Sequence, residues 1–379
     1  MKQIIGLVLI TGACLAGCNE KPKETEVTVE KNALEVVGRW LVDSAGEVMS
    51  DPQTSGLTHW QGQLISISDG SAVSEQQRRL HFIDPQNAQV TKSANTMSLS
   101  TSVRRSCFSD YLANEPDFEA LVADPADAAV FYSVTEDATR TGALSVRCQQ
   151  QFEASGSTAY PTLLVRLERS NAGDITLTGV RPLQFPLEYK VGDFPNDGIE
   201  GMALTPERTL YLGLEKDTAG QPRIFTLNMN EDFFKSGDFA KVADPELLLP
   251  TFSGGNHPIN GLEYYVNPTD GKGYLLAAAR NDNELWVIDT AAETPTRRVL
   301  MDFTLATDST DGSCPEMERM DNASIEGLAV IGETLWLIND PWKQNYLKNI
   351  QCHTHSTKYQ AMAPLLFSTP IDQAWFTAP

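Results

Sequence analysis

The chain has 379 residues and carries 50 acidic against 29 basic side chains, a formal net charge of −21. This excess excludes electrostatic binding of nucleic acid, whose phosphates it would repel. Apolar residues make up 41% of the sequence, enough for a sizeable core, and the one membrane-like run lies within the first 17 residues, so no bilayer-spanning helix is expected beyond it.

At the N-terminus Lys2 precedes an apolar run from Ile4 to Leu15, followed by L-A-G-C ending at Cys18. The apolar run is too short to span comfortably, and the small residues Ala16 and Gly17 fit a peptidase site. The segment resembles a bacterial lipoprotein signal peptide, which implies removal of residues 1–17, Cys14 included, and lipidation of Cys18. An ordinary secretory signal with an incidental cysteine is the alternative. Asn19 stands where an inner-membrane retention signal would resemble Asp, so the outer membrane is the expected address. Residues 18–32 are highly charged, and Pro22 with Val27, Thr28 and Val29 argues against a helix, so they read as a flexible tether. Residues 33–379 are then one folded domain.

That domain repeats a pattern: a polar residue, a small residue and an apolar run, then a second apolar run ending in acids or amides. Five copies read SGLTHW…QLISISDG from Ser55, FEALVAD…VFYSVTED from Phe118, IEGMALT…TLYLGLEKD from Ile199, INGLEYY…GYLLAAARND from Ile259, and IEGLAVI…TLWLIND from Ile325. With Ser55, Glu119, Glu200, Asn260 and Glu326 equivalent, the steps are 64, 81, 60 and 66 residues. Each step holds a third strand-like run, such as RRLHFID or ELWVIDT, and most a fourth, such as TRRVLMDF. Four short strands per repeat, arranged radially, predict an all-β fold, a β-propeller of five four-stranded blades. Six blades is the alternative, if the 81-residue step hides a degenerate one. The last copy has APLLFSTPI left as its third strand, so Ala33–Val42 is expected to supply the fourth and close the ring. The small residue after the polar one (Gly56, Ala120, Gly201, Gly261, Gly327) suits inner strands whose backbones converge near an axis.

Once Cys14 and Cys18 are set aside, four cysteines remain. Cys107 lies 12 residues before Glu119 and Cys314 lies 12 before Glu326, while Cys148 and Cys352 hold matching places after the second strand. The repeat register therefore pairs Cys107 with Cys148 and Cys314 with Cys352, as suits an exported chain. Each bridge closes a loop of about 40 residues, for which the chain-entropy model gives about 4 kcal/mol.

The copies IEGMALT…LYLGLEKD and IEGLAVI…LWLIND resemble the repeats of the esterase-like phytase propellers, in which E-G-L/M-A and a strand ending in E or ND recur. The resemblance covers most of Ser55 to Pro341 and implies a periplasmic or surface hydrolase of phosphate or carboxylate esters. The first copy departs from it with Ser55 in place of the acid, and the fourth with Asn260 and Arg280. More distantly, the pattern is similar to calcium-dependent lactonase and regucalcin propellers, where such a glutamate and amides hold one metal in the central channel. That likeness implies Glu119, Glu200, Asn260 and Glu326 as calcium ligands, and their oxygen donors suit this hard cation. Second strands run back toward the same face, which brings Asp69, Glu136, Asp137, Glu215, Asp217, Asn281, Asp282, Asn339 and Asp340 to one mouth. Such convergence is costly without a cation or protons.

In a metal-assisted hydrolase Glu200, Glu326 or His257 would move a proton, and Arg280, Lys216 and Lys343 would hold an anionic substrate. The other class is a non-catalytic envelope propeller that binds a protein, glycan or small ligand in the periplasm or at the cell surface. G-x-S-x-G, Walker A, G-x-G-x-x-G and H-E-x-x-H are all absent from the sequence. His353 and His355, beside Cys352, make a poor zinc pair and read as a surface loop. DSTDGSCPE, from Asp308, carries acids without regular EF-hand spacing.

Overall fold

The computed structural model describes residues 33–114, 116–136, 144–152, 162–189, 191, 198–215, 217–308 and 312–377. The signal segment, Cys18, the tether, Asp137 and Lys216 lie outside them. Strand β1 (Leu34–Trp40) alternates exposed and buried positions. It is followed by a four-stranded antiparallel sheet of β2 (Thr54–Trp60), β3 (Gln63–Ser68), β4 (Leu80–Asp84) and β5 (Gln89–Ser93). The two-residue β6 (Ser98–Leu99) edges the next sheet, which is β7 (Phe118–Ala123), β8 (Val130–Thr135), β9 (Leu163–Arg169) and β10 (Ile175–Gln184). The third sheet has β11 (Ile199–Leu204), β12 (Thr209–Leu214) and β13 (Arg223–Asn228), after which β14 (Ala240–Lys241) pairs with β10. The fourth has β15 (Gly261–Val266), β16 (Gly273–Ala279), β17 (Glu284–Asp289) and β18 (Arg297–Ala306), with β19 (Met317–Met320) on its edge. The last has β20 (Ile325–Ile331), β21 (Thr334–Asn339) and β22 (Leu365–Pro370).

The first strands of these sheets, β2, β7, β11, β15 and β20, each pack on the next, and β20 packs back on β2. The core lies between neighbouring sheets as separate apolar wedges. Ile65 and Phe82 meet Leu121 and Phe131, for example, while Leu57 and Leu64 meet Ala329 and Ile338 across the join of first and last. With apolar neighbours on both faces, the inner strands are buried along nearly their whole length. Radial sheets around one axis, joined by such wedges, make this a β-propeller.

Residues 33–42 behave as the repeat arithmetic requires: β1 pairs antiparallel with β22, Val37–Trp40 against Ser368–Leu365. It also pairs parallel with the second half of β18, Leu34–Gly38 against Met301–Leu305, so the fourth and last sheets run together through their outer strands. The 81-residue step holds one sheet among the described residues, lengthened by the helix Val146–Phe152. The expectation of four strands in every sheet fails in the third. There Thr226 bridges Ala243 at a single isolated position. Pro245 and Pro250 bracket the chain that would continue this pairing, and proline cannot donate to a ladder.

Both disulfides form as the register predicts, Cys107–Cys148 and Cys314–Cys352. Each fastens the loop entering a sheet to the loop after its second strand. Among the described residues no helix is long and apolar enough to cross a membrane.

Candidate functional site at the mouth of the ring

The pairing of first and second strands slips by one residue near its start in four sheets, at the same place in three and one residue later, at Gly56, in the first. The slips fall between Ser55 and Leu57, Phe118 and Ala120, Ile199 and Gly201, and Ile325 and Gly327. Such a bulge leaves one residue without a ladder partner and re-aims its side chain. In three of them that residue is an acid, Glu119, Glu200 or Glu326, and each faces the cavity at the mouth of the ring. A second tier comes from the residue just after each second strand: Asp69, Glu136, Glu215, Arg280 and Asp340. The repeat thus delivers two groups to one place from every sheet but the fourth, whose Asn260 is fully buried and not among the lining residues. The fourth repeat alters both, with Asn260 in the first tier and Arg280 in the second.

The cavity measures about 660 Å³ and is lined by nine carboxylates against Arg280 and Lys343. Ligand atoms of Glu136, Glu200 and Glu215 lie within 4.8 Å of one another, as do those of Asp117, Glu119 and Glu136. Burial raises the Glu119 carboxyl well above the usual range, and the charges of Glu200, Asp117 and Glu136 add to it. Glu200 is raised in the same way by burial, then by Glu326, Glu215 and Glu136. Asp69 is pushed up to about 7 by burial and Asp117, against hydrogen bonds from Ser71 and Ala72. Burial and the charges of Asp69 and Glu326 raise Asp340, whose Oδ1 is buried without a hydrogen-bond partner among the described residues. The Ser55 hydroxyl donates within this set, 3.1 Å from Glu119 Oε2.

Arg280 organises the opposite side. Its guanidinium pairs with Glu326 Oε1 and lies 3.3 Å from Glu215 Oε1. Burial acts to lower its pKa, but Glu326, Glu200 and Glu215 outweigh burial and raise it. Glu326 is still pushed up to about 7, because burial exceeds the relief from Arg280. Lys343 Nζ donates to Ser71 O at 2.9 Å and sits 3.3 Å from Asp51.

The four residues expected to share a cation stand in unlike surroundings. Glu119 and Glu200 join the acidic triads, Glu326 has the Arg280 guanidinium beside it while its charge still bears on Glu200, and Asn260 is fully buried next to Glu326 and is not among the residues lining the cavity. His257 is not among the residues lining the cavity. Its Nδ1 is 3.0 Å from both Asp282 oxygens, Nε2 is 3.0 Å from Gly254 O, and the ring stacks on Phe252 at 3.4 Å. His355 is no surface residue: its Nδ1 lies 2.6 Å from Glu318 Oε2 with both side chains buried. That pair braces the Cys352 loop, whose backbone N–H groups at Gln351 and Cys352 donate to Glu318 Oε1.

Sequence reasoning passed over Trp342, which lines the cavity with 47% of its surface exposed. Its position two residues beyond Asp340, at the end of a second strand, was the available signal.

The chain matches no known protein-family model and no curated protein. Among solved structures it is similar to a protein assigned as an exo-β-1,3-galactanase of Bifidobacterium bifidum, with 12% identity, 90% of this chain and 94% of that one covered, and a TM-score of 0.48. It is similar also to the Malassezia sympodialis allergen Mala s 1, at 9% identity, 85% and 94% coverage and a TM-score of 0.41. A glycosyl hydrolase of Bacteroides ovatus gives 12% identity, 88% and 87% coverage and a TM-score of 0.39. These values are too low to carry the activity of any of the three to this chain.

Proposed function

We propose that this chain is a lipid-anchored envelope protein, a β-propeller of five blades, whose mouth holds a divalent cation and hydrolyses an ester there. The carrying observation is the pair of carboxylate triads that share Glu136, in which burial first, and then neighbouring charges, raise the proton affinity of Glu119 and Glu200. Oxygen donors alone, several of them charged, fit calcium better than a softer metal. The fit is good at Glu119, Glu136 and Glu200 with Asp117 beside them, and poorer at Glu215, Glu326 and Asn260, where Arg280 already supplies positive charge to both glutamates.

A cation held there would supply Lewis acidity toward a carbonyl or phosphoryl oxygen. Glu326 is the proton-moving candidate, since its carboxyl is poised at about 7. Arg280 holds one oxygen of Glu326 and fixes its direction. Lys343, anchored on Ser71 and beside Asp51, stands on the wall of the cavity. The resemblance to the esterase-like phytase propellers supports ester hydrolysis, and the export signal supports the envelope address.

Calcium added to chelator-treated protein should raise its melting temperature. Saturation at a hundred times the dissociation constant corresponds to about 2.7 kcal/mol. Glu200→Gln should raise the melting temperature of the calcium-free protein, by removing a repelled charge, and lose most of the calcium response. A wild-type protein indifferent to calcium would remove the basis of the proposal.

A further inference from the structure

The two halves of the mouth cavity differ in chemistry by sheet. The second and third sheets contribute the acidic triads. The fourth and last contribute Trp342 together with Asn281, Asn283, Asn322, Ser324 and Gln344, beside the charged Arg280, Asp321, Glu326, Asp340 and Lys343. Among the described residues the side chains of Asn283, Asn322, Ser324 and Gln344 make no hydrogen bond within the chain. An amide offers donors and an acceptor together, so this wall is unselective for charge and suited to groups that both donate and accept.

The backbone of Trp342 is held in place. Its main-chain N–H donates to Asp340 O at 2.7 Å, and its carbonyl accepts from the main-chain N–H groups of Asn345 and Tyr346 at 3.0 and 2.9 Å. The next residue, Lys343, ties the loop to Ser71. An indole on the wall of a polar cavity presents a flat apolar face there, with Ala323 its one apolar companion among the described lining residues. Large aromatic surface in such a position is characteristic of ligand contact.

We propose that the part of the mouth around Trp342 is a saccharide subsite, with one pyranose ring stacked by its C–H face on Trp342 and its hydroxyls on the amides of the fourth and last sheets. This rests on the reading of the mouth as the substrate site and names the substrate as a sugar ester. A pyranose has an apolar face and a rim of groups that donate and accept, which is the complement of this wall. Among the described lining residues a free anion would meet nine carboxylates, and Arg280 and Lys343 each already have an acid beside them. A quaternary ammonium ion would use the indole but would leave every amide unanswered.

The test uses the full chain in a nonionic detergent that contains no sugar. Saturation-transfer NMR is run against trisaccharides of glucose, galactose, mannose and N-acetylglucosamine in α and β linkage, with choline and spermidine as competitors. At least one trisaccharide should receive saturation on its C–H protons. Trp342→Ala should weaken its binding at least about tenfold, which is ~1.4 kcal/mol, and Trp342→Phe by less. Both variants should keep the wild-type calcium melting shift, which shows the cavity still folded. Binding unchanged in Trp342→Ala, displacement by choline, or no transfer from any trisaccharide alongside an intact calcium response would each overturn the subsite. Saccharide binding in a protein that ignores calcium would instead overturn the cation reading and leave the subsite standing.

Discussion

At the scale of single residues, the mouth is a store of unfavourable charge, and pH reads it directly. A carboxyl whose folded pKa is raised stabilises the fold fully below its unfolded value and loses that contribution as pH rises through the folded one. Asp69 and Glu326 set this window from about 4 to about 7, and Glu119, Glu200 and Asp340 act in the same sense. His81 opposes them. Buried between Ser68 and Ser93 and held down to about 3, it costs stability as pH falls below its ordinary value. His59, also lowered by burial, acts with His81, while Glu263, pushed up to about 8 by burial, acts with the five mouth acids, and the acids stay in control. In chelator, the melting temperature should fall by at least ~5 °C between pH 5 and pH 8, each tenfold change in proton affinity being about 1.4 kcal/mol. Saturating calcium should flatten the curve, and a calorimetric scan at each pH measures both.

At the scale of strands, the glycine after the polar residue is set by how closely inner strands approach. A Cβ on Gly327 would lie 2.5 Å from Leu57 N and 2.6 Å from Gly56 C, and all of these are backbone atoms that cannot swing away. Gly327→Ala should therefore destabilise by about 1–3 kcal/mol or more, seen as a lower urea midpoint. Gly201→Ala, whose nearest atom is Leu262 Cγ at 3.0 Å, should cost less. This spacing was legible in the sequence because a missing side chain is visible there, as were the strands, their alternation and the cysteine register. The bulge was not, since it arises when two strands of unequal path length pair and no residue type marks it. Without the bulge, E-G-L/M-A reads as a strand start and leaves the direction of Glu200 open. The division of the expected cation set was hidden for a related reason. Asn260 and Arg280 are visible as departures, but whether Arg280 turns toward substrate or toward Glu326 depends on the neighbouring sheet. The third sheet's missing strand had a signal in Pro245 and Pro250, outweighed by the regularity of the other repeats.

At the scale of the whole molecule, β1 is the piece of chain that belongs to both ends. Deleting residues 33–42 should bare the edges of β18 and β22, lower the melting temperature of the entire domain and promote self-association, both measurable by scanning calorimetry with light scattering. A truncated protein that melted like the intact one would show that this strand is dispensable. The dual pairing of β1 also has a mechanical consequence. Any load arriving from the N-terminal side enters along the axis of β1, which is gripped by β18 on one flank and β22 on the other. Rungs lying across the direction of pull are strained together in shear, not opened one after another as in a peeled edge. A chain tethered at that end would thus take tension where its ring is fastened, and the force would be divided between the fourth and last sheets before reaching the mouth.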